Sequence, residues 1–128
     1  FDGIVYAVFV SLGFAAVENV MYVLQGGYEL AVLRALTAVP AHALFGICMG
    51  YNLGIAHRYR ELRKVYLGRA ILFPVLYHGL YDFILMTGIG WMLILFIPYV
   101  FFLFIAGFKK MKRLSGVSVF RDLGDESE

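Results

Sequence analysis

Residues 33–56 read LRALTAVPAHALFGICMGYNLGIA, an apolar run longer than the roughly 20 residues that a membrane-spanning helix needs. Comparable runs cover approximately residues 3–24, 65–87 and 91–108. None of them alternates apolar and polar residues as the strands of a membrane β-barrel do. The sequence therefore predicts an all-α fold, a polytopic transmembrane helix bundle with about four transmembrane helices.

The composition indicates a membrane protein with one domain. Of 128 residues, 62% are hydrophobic and 16% are charged, whereas a soluble domain has about 45–50% apolar and about 25% charged residues. Basic residues form two short runs, at 58–64 and 109–113. Because each run adjoins an apolar segment, we interpret them as cytoplasmic topology markers rather than a nucleic-acid surface, and the connections at 25–32 and 88–90 then face the exterior. The single cysteine, Cys48, excludes an internal disulfide.

Two parts of unequal size are predicted along the chain. Residues 1–112 form the membrane-embedded helical domain, and residues 113–128 form a short polar tail that is rich in Asp and Glu. Phe1 is not an initiator methionine, and no basic stretch precedes the first apolar run as it does in a signal peptide. We therefore expect the embedded domain to be the C-terminal part of a longer one.

Five polar residues interrupt three of the apolar runs: Glu18, Asn19, His42, His78 and Asp82. A charged side chain at the centre of a bilayer costs at least about 2.5–3.5 kcal/mol on insertion scales, so several on separate helices are expected to satisfy one another. Counted from the exterior ends of the helices, all of them except Asn19, which is adjacent to Glu18, lie about 8–13 Å deep. This coincidence predicts one shared polar site in the outer half of the membrane.

Helical spacing places two of these residues on protein-facing surfaces. Glycines follow His42 at four-residue intervals, namely Gly46, Gly50 and Gly54. A row of small residues lets a neighbouring helix approach closely, so His42 is expected to face another helix. His78 and Asp82 are also four residues apart, which stacks them on one face of their helix and predicts that Asp82 orients His78.

These residue types allow several functions. Glu18 could be a general base for water, a metal ligand or a structural carboxylate, and His42 and His78 could be metal ligands, oxyanion stabilisers or acid–base groups. The same cluster would serve an ion- or proton-coupled transporter, although the chain shows no internal repeat. It would also serve a non-enzymatic membrane scaffold whose polar residues hold helices together. We interpret Arg34, at the outer start of its apolar run, as extending towards the membrane surface, with contact to a substrate as the less favoured alternative.

Three short motifs occur in order along the chain: GFAAVEN at 13–19, HALFG at 42–46 and HGLYD at 78–82. Together they resemble the PrsW family of intramembrane proteases, which is related to the CAAX prenyl endopeptidases and the bacteriocin-processing membrane proteases. The order and separation of the motifs make the resemblance fairly specific. It covers approximately residues 2–88.

The resemblance assigns roles to the polar cluster. Glu18, His42 and His78 would be catalytic, and Asn19 and Asp82 would support them. Either the first three hold Zn²⁺ with an open position for water, or Glu18 activates water without a metal while the histidines stabilise the oxyanion. The family also carries a Glu-Glu-xx-Lys motif on an earlier helix, which these 128 residues lack. With a base supplied from such a motif, Glu18 would be a ligand or a second carboxylate.

The resemblance also implies a substrate and a location. The activity would be that of an endopeptidase that hydrolyses a peptide bond of a membrane protein in or beside the bilayer, an anti-sigma factor being one substrate class. The partners would be that substrate and the lipid bilayer, with no nucleic acid, and nothing in the sequence indicates an oligomeric state. The protein would be a multi-pass integral protein of a bacterial or archaeal cell membrane.

Overall fold

The computed structural model describes residues 2–116, and all regular structure within that range is helical. Helix α1 spans Asp2–Arg58, a 3₁₀ turn spans Arg60–Leu62, α2 spans Arg63–Met86 and α3 spans Met92–Ser115. The predicted all-α class is therefore confirmed.

The polar tail predicted for residues 113–128 falls largely beyond the described range. Helix α3 continues as far as Ser115, so the first residues of that tail are helical. Residues 117–128 lie outside the part of the chain that the structure describes.

Helix α1 consists of two arms that meet at Gly27. This residue has φ 76° and ψ −171°, a left-handed φ that glycine adopts easily because it has no Cβ. Residues 2–26 form the first arm and residues 28–58 the second. The arms are antiparallel, since the Ser11 hydroxyl donates a hydrogen bond of 2.6 Å to the backbone carbonyl of His42, whereas Glu18, further along the first arm, pairs with Arg34, which comes earlier in the second. Within residues 2–116, three helices are long and apolar enough to cross a membrane, and because the first folds back, the predicted number of about four agrees approximately.

The two arms pack closely through the glycine row that the sequence predicted. A Cβ added to Gly46 would lie 2.7 Å from the Cα of Val8. A Cβ added to Gly50 would overlap the backbone of Gly3 and Ile4. Side-chain atoms cannot approach backbone this closely, so the separation of the arms depends on glycine at both positions. The expected small-residue packing is confirmed.

Gly50→Ala is expected to destabilise the protein, because the added methyl group meets only backbone and the arms must move apart. Overpacking of this kind costs about 1–3 kcal/mol. Gly68→Ala is the matched control, since nothing lies within 4 Å of an added Cβ there and alanine favours a helix over glycine by up to about 1 kcal/mol. Thermal unfolding of the detergent-solubilised protein measures both. A Gly50→Ala melting temperature equal to that of Gly68→Ala would contradict close packing of the arms.

A buried cluster joins the second arm to α2 and α3. Its members are Ala38, Ala41, Leu44, Phe45, Tyr81 and Leu103. The Tyr99 hydroxyl of α3 donates a hydrogen bond to the backbone carbonyl of Tyr77 in α2. The Phe45 ring lies 6.4 Å from the Tyr81 ring on one side and 5.6 Å from the His78 ring on the other. The core therefore supports the polar residues directly.

The outer surface of the bundle is apolar. Phe9, Leu36 and Ile94 are 71%, 74% and 71% exposed, and many other large apolar side chains are exposed around them. Soluble proteins rarely expose contiguous apolar patches of more than a few hundred Å². Together with the length of the helices, this surface identifies an integral membrane protein.

Candidate active site

Glu18 lies at the centre of the polar cluster. Its Oε2 accepts a hydrogen bond from Nη2 of Arg34 at 2.9 Å and lies 3.0 Å from Nε2 of His42. Its Oε1 lies 3.8 Å from Nε2 of His78. The first arm supplies the carboxylate, the second arm supplies Arg34 and His42, and α2 supplies His78. Glu18 is therefore the residue through which three helical segments meet.

His42 is held in a largely apolar environment. Its side chain is only 5% exposed, and the glycine packing of the arms keeps its backbone next to the first arm. Its ring lies 5.7 Å from the ring of Phe14 and 5.7 Å from that of Phe45. The His78 ring is closer still, at 4.9 Å between ring centres. Among these neighbours, Nε2 of His42 is directed towards the carboxylate of Glu18.

His78 is oriented from within its own helix. Its Nδ1 lies 3.1 Å from Oδ2 of Asp82, one turn further along α2. An ionised carboxylate only accepts hydrogen bonds, so a neutral His78 carries its proton on Nδ1 and directs the lone pair of Nε2 towards Glu18. The sequence predicted this pairing from the spacing of the two residues, and the geometry agrees with it.

The three central side chains could share one metal ion. One donor atom from each of Glu18, His42 and His78 lies within 4.8 Å of the other two. Two histidines and one carboxylate form a donor set found in catalytic zinc sites, where the fourth position is left for water. The carboxylate of Asp82 on the second nitrogen of His78 is the support that metal-binding histidines usually have. The residues present therefore fit zinc.

Arg34 also belongs to this cluster. The prediction that its side chain extends towards the membrane surface was wrong. The side chain is 11% exposed. Besides Glu18, it contacts Asn19, whose Oδ1 accepts a hydrogen bond from Nε at 2.8 Å. The guanidinium carbon also lies 3.9 Å above the ring centre of Tyr22. A signal for this contact exists in the sequence, because Arg34 and Glu18 lie at similar distances on either side of the Gly26-Gly27 pair.

A cavity of about 500 Å³ adjoins the two histidines and is lined by both arms of α1 and by α2. Apolar side chains line most of it, among them Val10, Phe14, Met49 and Val75. The polar cluster therefore borders a mainly apolar cavity through its two histidines.

The segments that supply these residues match a known family. Residues 1–107 match the model of the PrsW family intramembrane metalloproteases. The chain belongs to the PrsW family. The resemblance drawn from the three motifs is confirmed, and the match extends beyond residue 88 to include most of α3.

PrsW relatives cover nearly all of the chain. Proteins named Protease PrsW are 45% identical to it in Oceanobacillus iheyensis, 40% in Clostridioides difficile and 41% in Bacillus subtilis. These alignments include 88%, 88% and 93% of the chain, but 52%, 50% and 55% of the relatives. The chain thus spans about half the length of the curated relatives it matches. All three organisms are bacteria, so they support the bacterial and not the archaeal expectation. No solved structure matches the chain.

Proposed function

We propose that this chain forms the part of an intramembrane endopeptidase that carries its Glu/His reaction centre. The protein would hydrolyse a peptide bond of a membrane-protein substrate. The observation that carries the proposal is the convergence of Glu18, His42 and His78, whose donor atoms lie within 4.8 Å of one another beside an apolar cavity. Membership of the PrsW family supports it, and favours it over a transporter or a scaffold.

Zinc is the cofactor that this centre suits best. Glu18, His42 and His78 would hold the ion, and Asp82 would keep His78 in the tautomer that binds through Nε2. Bound there, zinc would activate water and polarise the scissile carbonyl. The description of the family as metalloproteases supports this choice.

The side chains would contribute in defined ways. Oε2 of Glu18 is engaged by Arg34 and His42, which leaves Oε1 as the oxygen directed to the space in front of His78. In the metal-free alternative, this oxygen would accept a proton from the attacking water, and the two histidines would stabilise the oxyanion in their protonated form, in which both ring nitrogens carry a hydrogen. The aromatic rings of Phe14 and Phe45 limit access of bulk water to His42 in either case.

The cavity indicates the kind of substrate. Its mainly apolar walls suit a segment of a transmembrane helix better than a soluble peptide. An anti-sigma factor with a single membrane span is one such substrate. We further propose that the site opens in the outer half of the bilayer, which follows from placing the basic runs 58–64 and 109–113 in the cytoplasm.

The proposal is tested by reconstituting the full-length protein in liposomes with single-pass membrane proteins, including an anti-sigma factor. Products are mapped by mass spectrometry. The expected result is one main cut in or next to the membrane span of at least one substrate. A panel of such substrates that all remain intact would contradict the endopeptidase proposal.

Removal of metal is expected to stop cleavage and zinc to restore it. The purified full-length protein is treated with a chelator, its metal content is measured, and its rate is determined before and after addition of Zn²⁺. Loss and recovery in step with metal content are expected, because three of the four zinc ligands would come from the protein. A full cleavage rate in verified metal-free protein would instead identify the glutamate-dependent chemistry.

A further inference from the structure

The Arg34 guanidinium contacts three side chains, which is more than a side chain that only anchors a helix at the membrane surface needs. Its Nη2 donates to Oε2 of Glu18 at 2.9 Å, and its Nε donates to Oδ1 of Asn19 at 2.8 Å. Its guanidinium plane also lies over Tyr22, with 3.9 Å between Cζ and the ring centre. All three partners are on the first arm, whereas Arg34 is on the second. The guanidinium is therefore fixed in both position and orientation.

This contact determines which oxygen of Glu18 is directed to the reaction centre. Oε2 lies within hydrogen-bond distance of both Arg34 and His42. Oε1 lies 3.8 Å from Nε2 of His78, which is beyond hydrogen-bond distance. Partial rotation of the carboxylate would break both short contacts at once, whereas a half-turn only exchanges two equivalent oxygens. Oε2 therefore fixes the orientation of the Glu18 carboxylate, and Oε1 is left for a metal ion or a water molecule.

We infer that Arg34 is a positioning residue of the reaction, which holds the Glu18 carboxylate so that Oε1 is directed towards His78. This inference rests on the proposed function, but it holds for both the zinc-dependent and the metal-free chemistry. Arg34 acts through Glu18 and does not itself touch the space in front of the histidines. Its effect should therefore appear in the rate of the chemical step rather than in substrate binding.

Lysine should not replace Arg34. An ammonium group keeps the charge, but it lacks the planar fork that reaches two acceptors on neighbouring residues, and it stacks less well on an aromatic ring. Arg34→Lys is therefore the informative variant, because it retains a cation near Glu18 and removes only the fixed geometry. Arg69→Lys is the matched control. Arg69 also lies over a tyrosine, at 5.1 Å from the ring centre of Tyr66, but it is exposed on α2.

The experiment measures kcat, KM and melting temperature for the full-length protein and its Arg34→Lys, Arg69→Lys and Glu18→Gln variants, with rates expressed per folded molecule. Arg34→Lys is expected to lower kcat by about 10–100-fold, the usual loss when the group supporting a site residue is removed. Its KM should stay near the wild-type value, and Arg69→Lys should match wild type in every measurement.

Each other outcome has a distinct meaning. An inactive Glu18→Gln together with wild-type kcat in Arg34→Lys would overturn the positioning role alone. A lower melting temperature with unchanged kcat per folded molecule would make Arg34 a structural brace and would also overturn it. Cleavage at the wild-type rate by Glu18→Gln would remove the proposed reaction centre, and the inference on Arg34 with it.

Discussion

Replacing either His42 or His78 by alanine is expected to abolish detectable cleavage. The two rings lie 4.9 Å apart beside Glu18, and the proposed function uses both of them in either form of the chemistry. If they bind zinc, each supplies one of three protein ligands. If they stabilise an oxyanion, the loss of one donor lowers kcat by about 10²–10³-fold. The measurement is kcat for the full-length protein in liposomes.

His57→Ala is the matched control for this pair. His57 lies in the last turn of α1 and is exposed, so its removal should leave the rate unchanged. Melting temperatures of all three variants separate a lost reaction from a lost fold. Wild-type rates in both His42→Ala and His78→Ala would show that the histidine pair takes no part in cleavage.

The second large effect is expected for Glu18→Gln. The amide cannot accept a proton from water, and it is a poor zinc ligand, so kcat should fall by about 10²–10⁴-fold. The fold should survive, because the amide oxygen still accepts the hydrogen bond from Arg34 that the carboxylate accepts at 2.9 Å. Initial rates at saturating substrate, with a melting curve for the same sample, measure this directly.

Glu29→Gln provides the comparison for the loss of one negative charge. Glu29 lies just beyond Gly27 at the start of the second arm and is exposed. Its variant should cleave at the wild-type rate. An equal loss of rate in Glu29→Gln and Glu18→Gln would attribute the effect to charge or insertion rather than to the site.

Hydropathy located the helices in the sequence but misplaced some of their ends. The second apolar run was predicted to begin at residue 33, whereas the second arm begins at residue 28. Gly27 alone makes the turn, and residues 28–32 remain helical although they include Glu29. Similarly, α3 continues to Ser115 through basic residues. Hydropathy reports how well a segment partitions into lipid. A helix can continue past the last apolar residue, so the two ends need not coincide.

The misplaced start of the second arm explains why Arg34 was missed. With a helix beginning at residue 33, Arg34 lies at the membrane surface and looks like an anchor. With the turn at Gly27, it lies seven positions into the helix, about 10 Å from the turn, and opposite Glu18. The pattern of apolar and polar residues could not predict the contact between Arg34 and Glu18, because that contact depends on how the two antiparallel arms are aligned.

The grouping of the other polar residues could be predicted because it depends on depth and face alone. Similar depths for Glu18, His42 and His78 indicated one site, and the structure places their donor atoms within 4.8 Å. The four-residue spacing of His78 and Asp82 likewise indicated their contact. Which oxygen of Glu18 meets which partner depends on side-chain rotation, and no sequence pattern encodes that. Their catalytic roles remain predictions.

The most direct test of the central claim, that Glu18 belongs to a proteolytic centre, compares cells that express the full-length wild type, Glu18→Gln or Glu29→Gln with one tagged single-pass substrate. Immunoblots follow the substrate fragment at matched membrane abundance of the three proteins. We expect the fragment with wild type and Glu29→Gln and no fragment with Glu18→Gln. Equal amounts of fragment with all three proteins would contradict the claim.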